Sequence, residues 1–535
     1  MQNHHVIPGD RDGSRLTQAH ALLAAGNLRE CAGIAEQVAR ADPSDPRVWH
    51  LLSCVYSRIG QQALALQCAS RAVTLAPADA GFLINQGQCL VAAGNRRDAI
   101  EIAERVATLK LERADLEDAL GTLFTFCEEP QRALSFFLRA VELAPGNGNF
   151  LYNLATAQRM VGELAAAEER LDQVIAINPG DVEAYATRST LRTQTLEANH
   201  VAQLSELLQR AVPDSSDEVA LGFALSKELE DMGRYQESFT YLKRANDAHR
   251  KRINYDVESD IAAMKEIARW HDETAVVTEG GFETDECLFV IGLPRSGTTL
   301  VERILSSHAS VTAAGELQAF PGELSKAIRM SAVGKGASLD LPRSALDVDP
   351  AKLGRAYIEA TRPQTGKTRH FVDKLPLNYL NAGMIRRALP RARIVALARA
   401  PMDSCYALYK TRFAGAYNFS YDLSNLARYY AAWHTLMRHW KDVLGENLLI
   451  VQYEDLVTRQ EDVTRRILAH CRLDWQNACL EFHRQEGVVT SASAVQVRQS
   501  MYTSSLGKWR HLEAELHTLS GELAELEPPS GWRLG

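Results

Sequence analysis

The residues best placed to do chemistry lie in one stretch, Cys287-Leu-Phe-Val-Ile-Gly-Leu-Pro-Arg-Ser-Gly-Thr-Thr-Leu-Val-Glu-Arg-Ile-Leu305. Gly292 and Gly297 bracket a turn that carries Arg295, Ser296, Thr298 and Thr299. Upstream, the apolar-leaning run Cys287 to Ile291 suits a core strand of a parallel sheet. Downstream, Leu300, Val301, Ile304 and Leu305 recur at helical spacing. A strand, a Gly-rich turn and a helix in succession bring the amides of Ser296 to Thr299 to a helix N-terminus. Orphan N–H groups and the helix dipole favour an anion there. The chemistry on offer is phosphate binding.

The glycine spacing is that of the Walker P-loop, but Thr298 stands where that loop has lysine. Without the lysine that serves the β- and γ-phosphates, ordinary nucleoside triphosphate chemistry is disfavoured, while a single terminal phosphate is still well served. Pro294-Arg295-Ser296-Gly297-Thr298-Thr299-Leu300 resembles the 5′-phosphosulfate loop of the sulfotransferases that use 3′-phosphoadenosine 5′-phosphosulfate (PAPS). The likeness is closest to the tyrosylprotein sulfotransferase branch, which has arginine where cytosolic sulfotransferases have lysine.

Four further stretches extend the resemblance. Ala314-Gly315-Glu316-Leu317 is similar to the Gly-Glu of that branch, its spacing to Arg295 included, and the likeness makes Glu316 the general base for an acceptor hydroxyl. Taken alone, Glu316 could equally be an exposed or capping carboxylate. In Val372-Asp-Lys-Leu-Pro-Leu-Asn378, Lys374 resembles the catalytic lysine, and with Arg295 it would stabilise charge on the transferring group without a metal ion. In Ala396-Leu-Ala-Arg399-Ala-Pro-Met-Asp-Ser404-Cys-Tyr-Ala407, Arg399 resembles the arginine that grips the 3′-phosphate. The family's partner serine falls at Ala407, so one hydroxyl contact is missing unless Ser404 replaces it. Tyr453 resembles the strand-end tyrosine on the cofactor side, and Arg498 and Lys508 resemble phosphate ligands of a C-terminal loop, with Trp509 packing beside them.

The elements that must position these residues alternate. Buried strands are expected at Phe371-Val372, at Arg393 to Ala398 and at Leu448 to Val451. A helix is expected over Leu423 to Trp440, its Trp and Tyr stripe turned to the core. Such alternation predicts a parallel sheet with helices on both faces and ligands at the C-terminal strand ends. Residues 331–350 read as a flexible excursion and 254–285 as a linker.

Ahead of the linker, Gly26, Gly60, Gly94 and Gly162 share a 34-residue register with Glu128 in the fourth place. Pro43, Pro77, Pro145, Pro179 and Pro213 form a second ladder interrupted at Leu111. Small residues recur at fixed offsets, at Ala19, Ser53, Gly87, Gly121 and Ala155 and at Ala65, Ala99, Ala133 and Ala167. The pattern resembles the tetratricopeptide repeat over 12–181, with a degenerate unit to Pro213 and a shifted one at Met232-Gly233-Arg234-Tyr235. Stacked helical hairpins of this kind form a superhelix. Binding a peptide or protein, dimerising the chain and merely carrying the second domain are all compatible roles.

With 535 residues, more than one core is needed. A net charge of −8 gives no support to nucleic-acid or anionic-membrane binding. Nine cysteines without a C-x-x-C pair read as reduced core residues, and an N-terminus with no apolar h-region, His4 and His5 in its flexible end, predicts a cytoplasmic protein. The expectation is an all-α tetratricopeptide-repeat superhelix over 12–253, the linker, and an α/β P-loop-like sulfotransferase domain with a central parallel sheet over 286–535. PAPS is the expected co-substrate, no metal is expected, and the hydroxyl acceptor is a peptide, a carbohydrate or a small molecule. Two rivals are a repeat scaffold with a decayed second domain and an ATP-dependent phosphotransferase.

Overall fold

The computed structural model describes residues 9–276, 280–332, 341–362, 364–413, 415–485 and 500–526. The chain divides into two compact units, Met1–Ala166 and Ala167–Gly535.

The only regular structure among the described residues of the first unit is α-helix, from Gly9–Ala24 and Leu28–Ala41 to Gly148–Val161 and the start of Leu164–Ile177. Both sequence ladders have a physical cause. Gly26, Gly60, Gly94 and Gly162 take left-handed φ values of 79°, 84°, 80° and 95°, and Glu128, the exception in that register, takes the same turn at 59°. Each proline precedes by two residues a cap whose side chain accepts helix amides: Asp45 from Arg47, Asp79 from Phe82, Asn147 from Asn149 and Phe150. Where Leu111 breaks the ladder, the cap position holds Arg113, which makes no such bond. The small residues let helices touch. A Cβ on Gly121 would lie 2.8 Å from the Phe137 ring, and one on Gly87 would lie 2.6 Å from Leu123.

In the second unit the repeat pattern continues through Val182–Ser189, Val201–Arg210, Ser216–Asp231 and Tyr235–Arg252. Gly233 takes φ 76° at the shifted register. The hairpin 216–252 shares one apolar core with the sheet, since Phe223, Phe239, Leu242 and Ala245 join Phe289, Tyr357 and Trp433. Within the stretch read as a linker, Val257–Trp270 is a helix that buries Val257, Ile261 and Met264 in the same core. This i, i+4, i+7 stripe carries none of the repeat's glycine or proline markers.

The sheet has five parallel strands in the order β2-β3-β1-β4-β5: β1 Cys287–Gly292, β2 Val311–Ala313, β3 His370–Asp373, β4 Arg393–Ala398 and β5 Leu448–Gln452. Sequence periodicity anticipates all but β2, a three-residue edge strand too short to show any. Alternate residues of β1 feed opposite faces, Phe289 and Ile291 entering one core and Leu288 and Val290 the other. Among the expected core helices, Leu423–Leu444 buries Tyr430, Trp433 and Trp440 as read. Of the expected excursion, residues 333–340 lie outside the described residues, and Leu341–Ala345 is helical.

Candidate active site

Parallel strands end on one edge of the sheet, and each of the five delivers one sequence-singled residue there. The glycine turn follows β1, Glu316 follows β2, Lys374 follows β3, Arg399 follows β4 and Tyr453 follows β5.

The turn after β1 is tightly constrained. Gly292 takes φ 148° and Gly297 φ 104°; a Cβ on the first would lie 2.7 Å from the Leu397 carbonyl oxygen and one on the second 2.6 Å from the Tyr453 ring. Both positions therefore exclude side chains. Arg295 is left-handed at φ 65°, a strained conformation that costs about 1–3 kcal/mol without glycine. Ser296 directs its hydroxyl and its N–H to the Leu293 carbonyl, at 2.7 and 3.3 Å. The amides of Gly297, Thr298 and Thr299 therefore lead the helix Thr298–Ser306, while Leu300 donates its own N–H to Gly297 and turns its side chain into the core.

Around the loop lies a cationic cradle. The Arg399 guanidinium stands over the Tyr453 ring at 4.7 Å and donates to the backbone oxygens of Arg295 and Ser505 at 3.2 and 2.8 Å. Its Nε is buried without a hydrogen-bond partner. Burial, and then the charge of Arg399, hold Arg295 below the ordinary guanidinium range. Tyr453 also meets the Ser505 hydroxyl at 3.0 Å, so the segment around Ser505 closes on both residues. Asp403 accepts from the Gly507 N–H at 2.9 Å and stands 3.8 Å from Arg399. Ser404 and Ala407 are both buried on the helix Pro401–Tyr409. Lys508 lies 3.8 Å from Glu230. Arg498 lies outside the described residues, as do His4 and His5.

At the other end of the edge the charges are mostly negative. Lys374, its side chain only 4% exposed, donates to Glu316 at 2.5 Å and stands 3.9 Å from Glu302, while Glu316 opens to solvent. Burial pushes Glu302 up to about 7 against the pull of Lys374. Asp373, buried and accepting from the Tyr357 hydroxyl at 2.9 Å, is pushed up to about 8. At neutral pH this end therefore holds the hydrogen-bonded Lys374–Glu316 pair beside two carboxyls, Glu302 and Asp373, that burial keeps partly or wholly protonated.

Residues 287–477 match a family model described as the sulfotransferase family, and 14–149 and 128–191 match tetratricopeptide-repeat models. The chain joins tetratricopeptide repeats to a sulfotransferase-family domain. It is 30% identical over 395 residues to an uncharacterized protein of Aquifex aeolicus, covering 72% of this chain and 51% of that one. To the protein-tyrosine sulfotransferase of Drosophila melanogaster it is 23% identical over 235 residues, 42% of this chain and 46% of that one. The chain thus spans about half the length of each. A thermophilic tetratricopeptide-repeat protein of Thermus thermophilus matches 34% of this chain over 98% of its own, at 17% identity and a TM-score of 0.31.

Sequence reading missed two features of the candidate site. Lys410, one residue past the helix Pro401–Tyr409, pairs with Glu230 of the repeat helix Ser216–Asp231 at 2.6 Å. Burial and then Glu230, Lys508 and Arg295 act on that lysine, with a net fall from its ordinary value. No motif links residues 180 positions apart. Glu302 was hidden inside the apolar stripe of its helix, where a charged residue reads as a solvent-facing position. In the first unit, a cavity of about 440 Å³ opens among His50, Phe82, Asn85, Arg113 and their neighbours on the repeat helices. No helix among the described residues is long and apolar enough to cross a membrane.

Proposed function

We propose that the chain is a PAPS-dependent sulfotransferase that moves a sulfuryl group to a hydroxyl acceptor. What carries the reading is the meeting, at one sheet edge, of an arginine pair and a carboxylate–lysine pair hydrogen-bonded at 2.5 Å. The cradle fits the anionic co-substrate: Arg399 has a buried, unpartnered Nε, and Arg295 is depressed by burial and by a like charge, both of which an anion would relieve.

In this reading Thr298, Thr299 and the helix-leading amides hold the 5′-phosphosulfate, and Arg399, Tyr453, Arg498 and Lys508 hold the 3′-phosphate side. PAPS supplies the sulfuryl group. Glu316 accepts the acceptor's hydroxyl proton as the acceptor oxygen bonds to sulfur and the bond from sulfur to the bridging phosphate oxygen breaks. Lys374 and Arg295 offset the negative charge gathering on that bridging oxygen, and adenosine 3′,5′-bisphosphate leaves. The protein works in the cytoplasm. The repeats favour a polypeptide acceptor, with a tyrosine hydroxyl as the leading choice.

Titration calorimetry of the full chain with adenosine 3′,5′-bisphosphate tests the cradle, and transfer of labelled sulfur from PAPS to tyrosine peptides, oligosaccharides and small phenols tests the chemistry. Micromolar bisphosphate binding that Arg399→Ala weakens on the order of 100-fold, followed by label on a peptide, is the expected outcome. Binding of magnesium ATP in place of the bisphosphate would replace the reading with phosphotransfer. Label on small phenols alone would remove the peptide.

A further inference from the structure

Glu302 occupies the fifth position of the helix Thr298–Ser306, directly after the glycine turn, and is 7% exposed. Nothing in the fold demands an acid there. Leu300, Val301, Ile304 and Leu305 around it belong to an apolar core. Its Oε1 is buried without a hydrogen-bond partner, its Oε2 stands 3.9 Å from the Lys374 ammonium, and the Gly315 amide faces its carboxyl. Gly315 precedes Glu316 and accepts the Lys374 backbone N–H at 2.9 Å. Glu302 therefore lies behind both members of the Glu316–Lys374 pair.

We propose that Glu302 is a positioning residue of this site, a second carboxylate that holds the Lys374 ammonium when Glu316 gives up its charge. The inference rests on the sulfotransferase reading above. Before reaction Lys374 is held by Glu316. Once Glu316 has taken the acceptor's proton it is neutral, and a buried ammonium without a counter-charge would be driven to release its own proton. Ionised Glu302 supplies that counter-charge. Lys374 keeps its three protons and is free to leave Glu316 for the bridging oxygen, and the proton on Glu316 passes to water through its exposed side. No proton moves through Glu302.

The groups facing Glu302 are Lys374, Glu316, Asp373 and Arg303. Only the ionised form of Glu302 can do this work, and burial places its ionisation near pH 7. The wild-type kcat therefore rises through neutral pH.

The test is steady-state transfer by the full-length chain from pH 5.5 to 9, for wild type, Glu302→Gln and Glu302→Asp, with bisphosphate affinity and melting curves alongside. Outer partners that hold a site's working groups typically matter about 10- to 100-fold, and Glu302→Gln is expected to lower kcat by that factor. It should leave KM for PAPS and bisphosphate affinity within about twofold and remove the limb near neutral pH, with Glu302→Asp regaining part of the rate and the limb. A wild-type chain that transfers while Glu302→Gln keeps its rate and pH profile overturns the proposal alone. So does a parallel loss of affinity, kcat and melting temperature in both variants, which marks a packing role. A wild-type chain that transfers nothing overturns the sulfotransferase reading and the proposal with it, and retained bisphosphate binding would then separate a decayed catalyst from a wrong cofactor.

Discussion

The two ends of the sheet edge handle buried charge in opposite ways. Around the glycine loop, Arg295, Arg399, Lys410 and Lys508 gather with Glu230 and Asp403 as acids, and burial lowers Arg295 and Lys410 below their ordinary ranges. Around β3, Glu302, Glu316 and Asp373 gather about Lys374, and there burial raises two carboxyls, Glu302 to about 7 and Asp373 to about 8. An arginine cannot shed its proton at any working pH, whereas a carboxyl can take one up. Burial at the first end therefore falls on an arginine that keeps its charge, and at the second on carboxyls that can take up a proton. In the sulfotransferase reading proposed above, the first end binds the anion and the second handles the acceptor's proton.

The sharpest way to break this contrast is to remove Lys374, the cation hydrogen-bonded to Glu316. Lys374→Met should lower the transfer rate by about 100- to 1000-fold, as loss of a single charge-stabilising donor does elsewhere, while bisphosphate affinity holds. Rapid-quench or steady-state assays of labelled sulfur would read it, and an equal loss of affinity would place Lys374 in the cradle instead. Arg399→Ala should do the reverse, weakening bisphosphate binding on the order of 100-fold in calorimetry, because it empties the buried guanidinium position over Tyr453.

Glu230→Gln sets the ends against each other. Burial opposes ionisation of Glu230, but Lys410 and Lys508 outweigh it and hold its carboxyl below the ordinary range. Without it, Lys410 lacks its partner and the protein should melt lower. The bisphosphate should restore more stability to the variant than to the wild type, by a few kcal/mol at most. Equal ligand-induced shifts in thermal melts would show that these lysines do not sense the cradle.

Arg295, Glu316, Lys374, Arg399 and Tyr453 were legible through the motifs that resemble the sulfotransferases, and the parallel sheet places each of them after a strand. What stayed hidden lacks a local signature. The β2 strand spans three residues, too few for a period of two to show. The Glu230–Lys410 pair joins a repeat helix to the α/β part, and only tertiary packing brings them together. The helix Val257–Trp270 has an ordinary apolar stripe, but the loss of the repeat markers and the nearby glycines argued for a linker. In the repeats the register itself was readable, yet that Glu128 would accept a glycine's backbone conformation was not. Arg96 pairs with its side chain at 2.7 Å, an added tie that a glycine could not make.

The smallest expected effect concerns stability alone and asks whether Asp373 does keep its proton in the fold. Asp373 ionises near pH 4 in an unfolded chain but is pushed up to about 8 in the fold, by burial against the help of Tyr357. Below about pH 4 both forms are protonated and the residue is neutral in its effect. Between about 4 and 8 the unfolded chain loses the proton and the folded chain keeps it, so stability falls as pH rises through that window and levels off above it. Asp373→Asn removes the titration while its side-chain oxygen can still accept from the Tyr357 hydroxyl. The variant should match wild type near pH 4 and exceed it at pH 8, by on the order of a few kcal/mol, in denaturant melts across that range. A wild-type chain that gains stability between pH 4 and 8 relative to the variant would mean Asp373 is ionised in the fold. Asp373 would then add its charge beside Lys374, and the contrast between the two ends would fail at its acidic side.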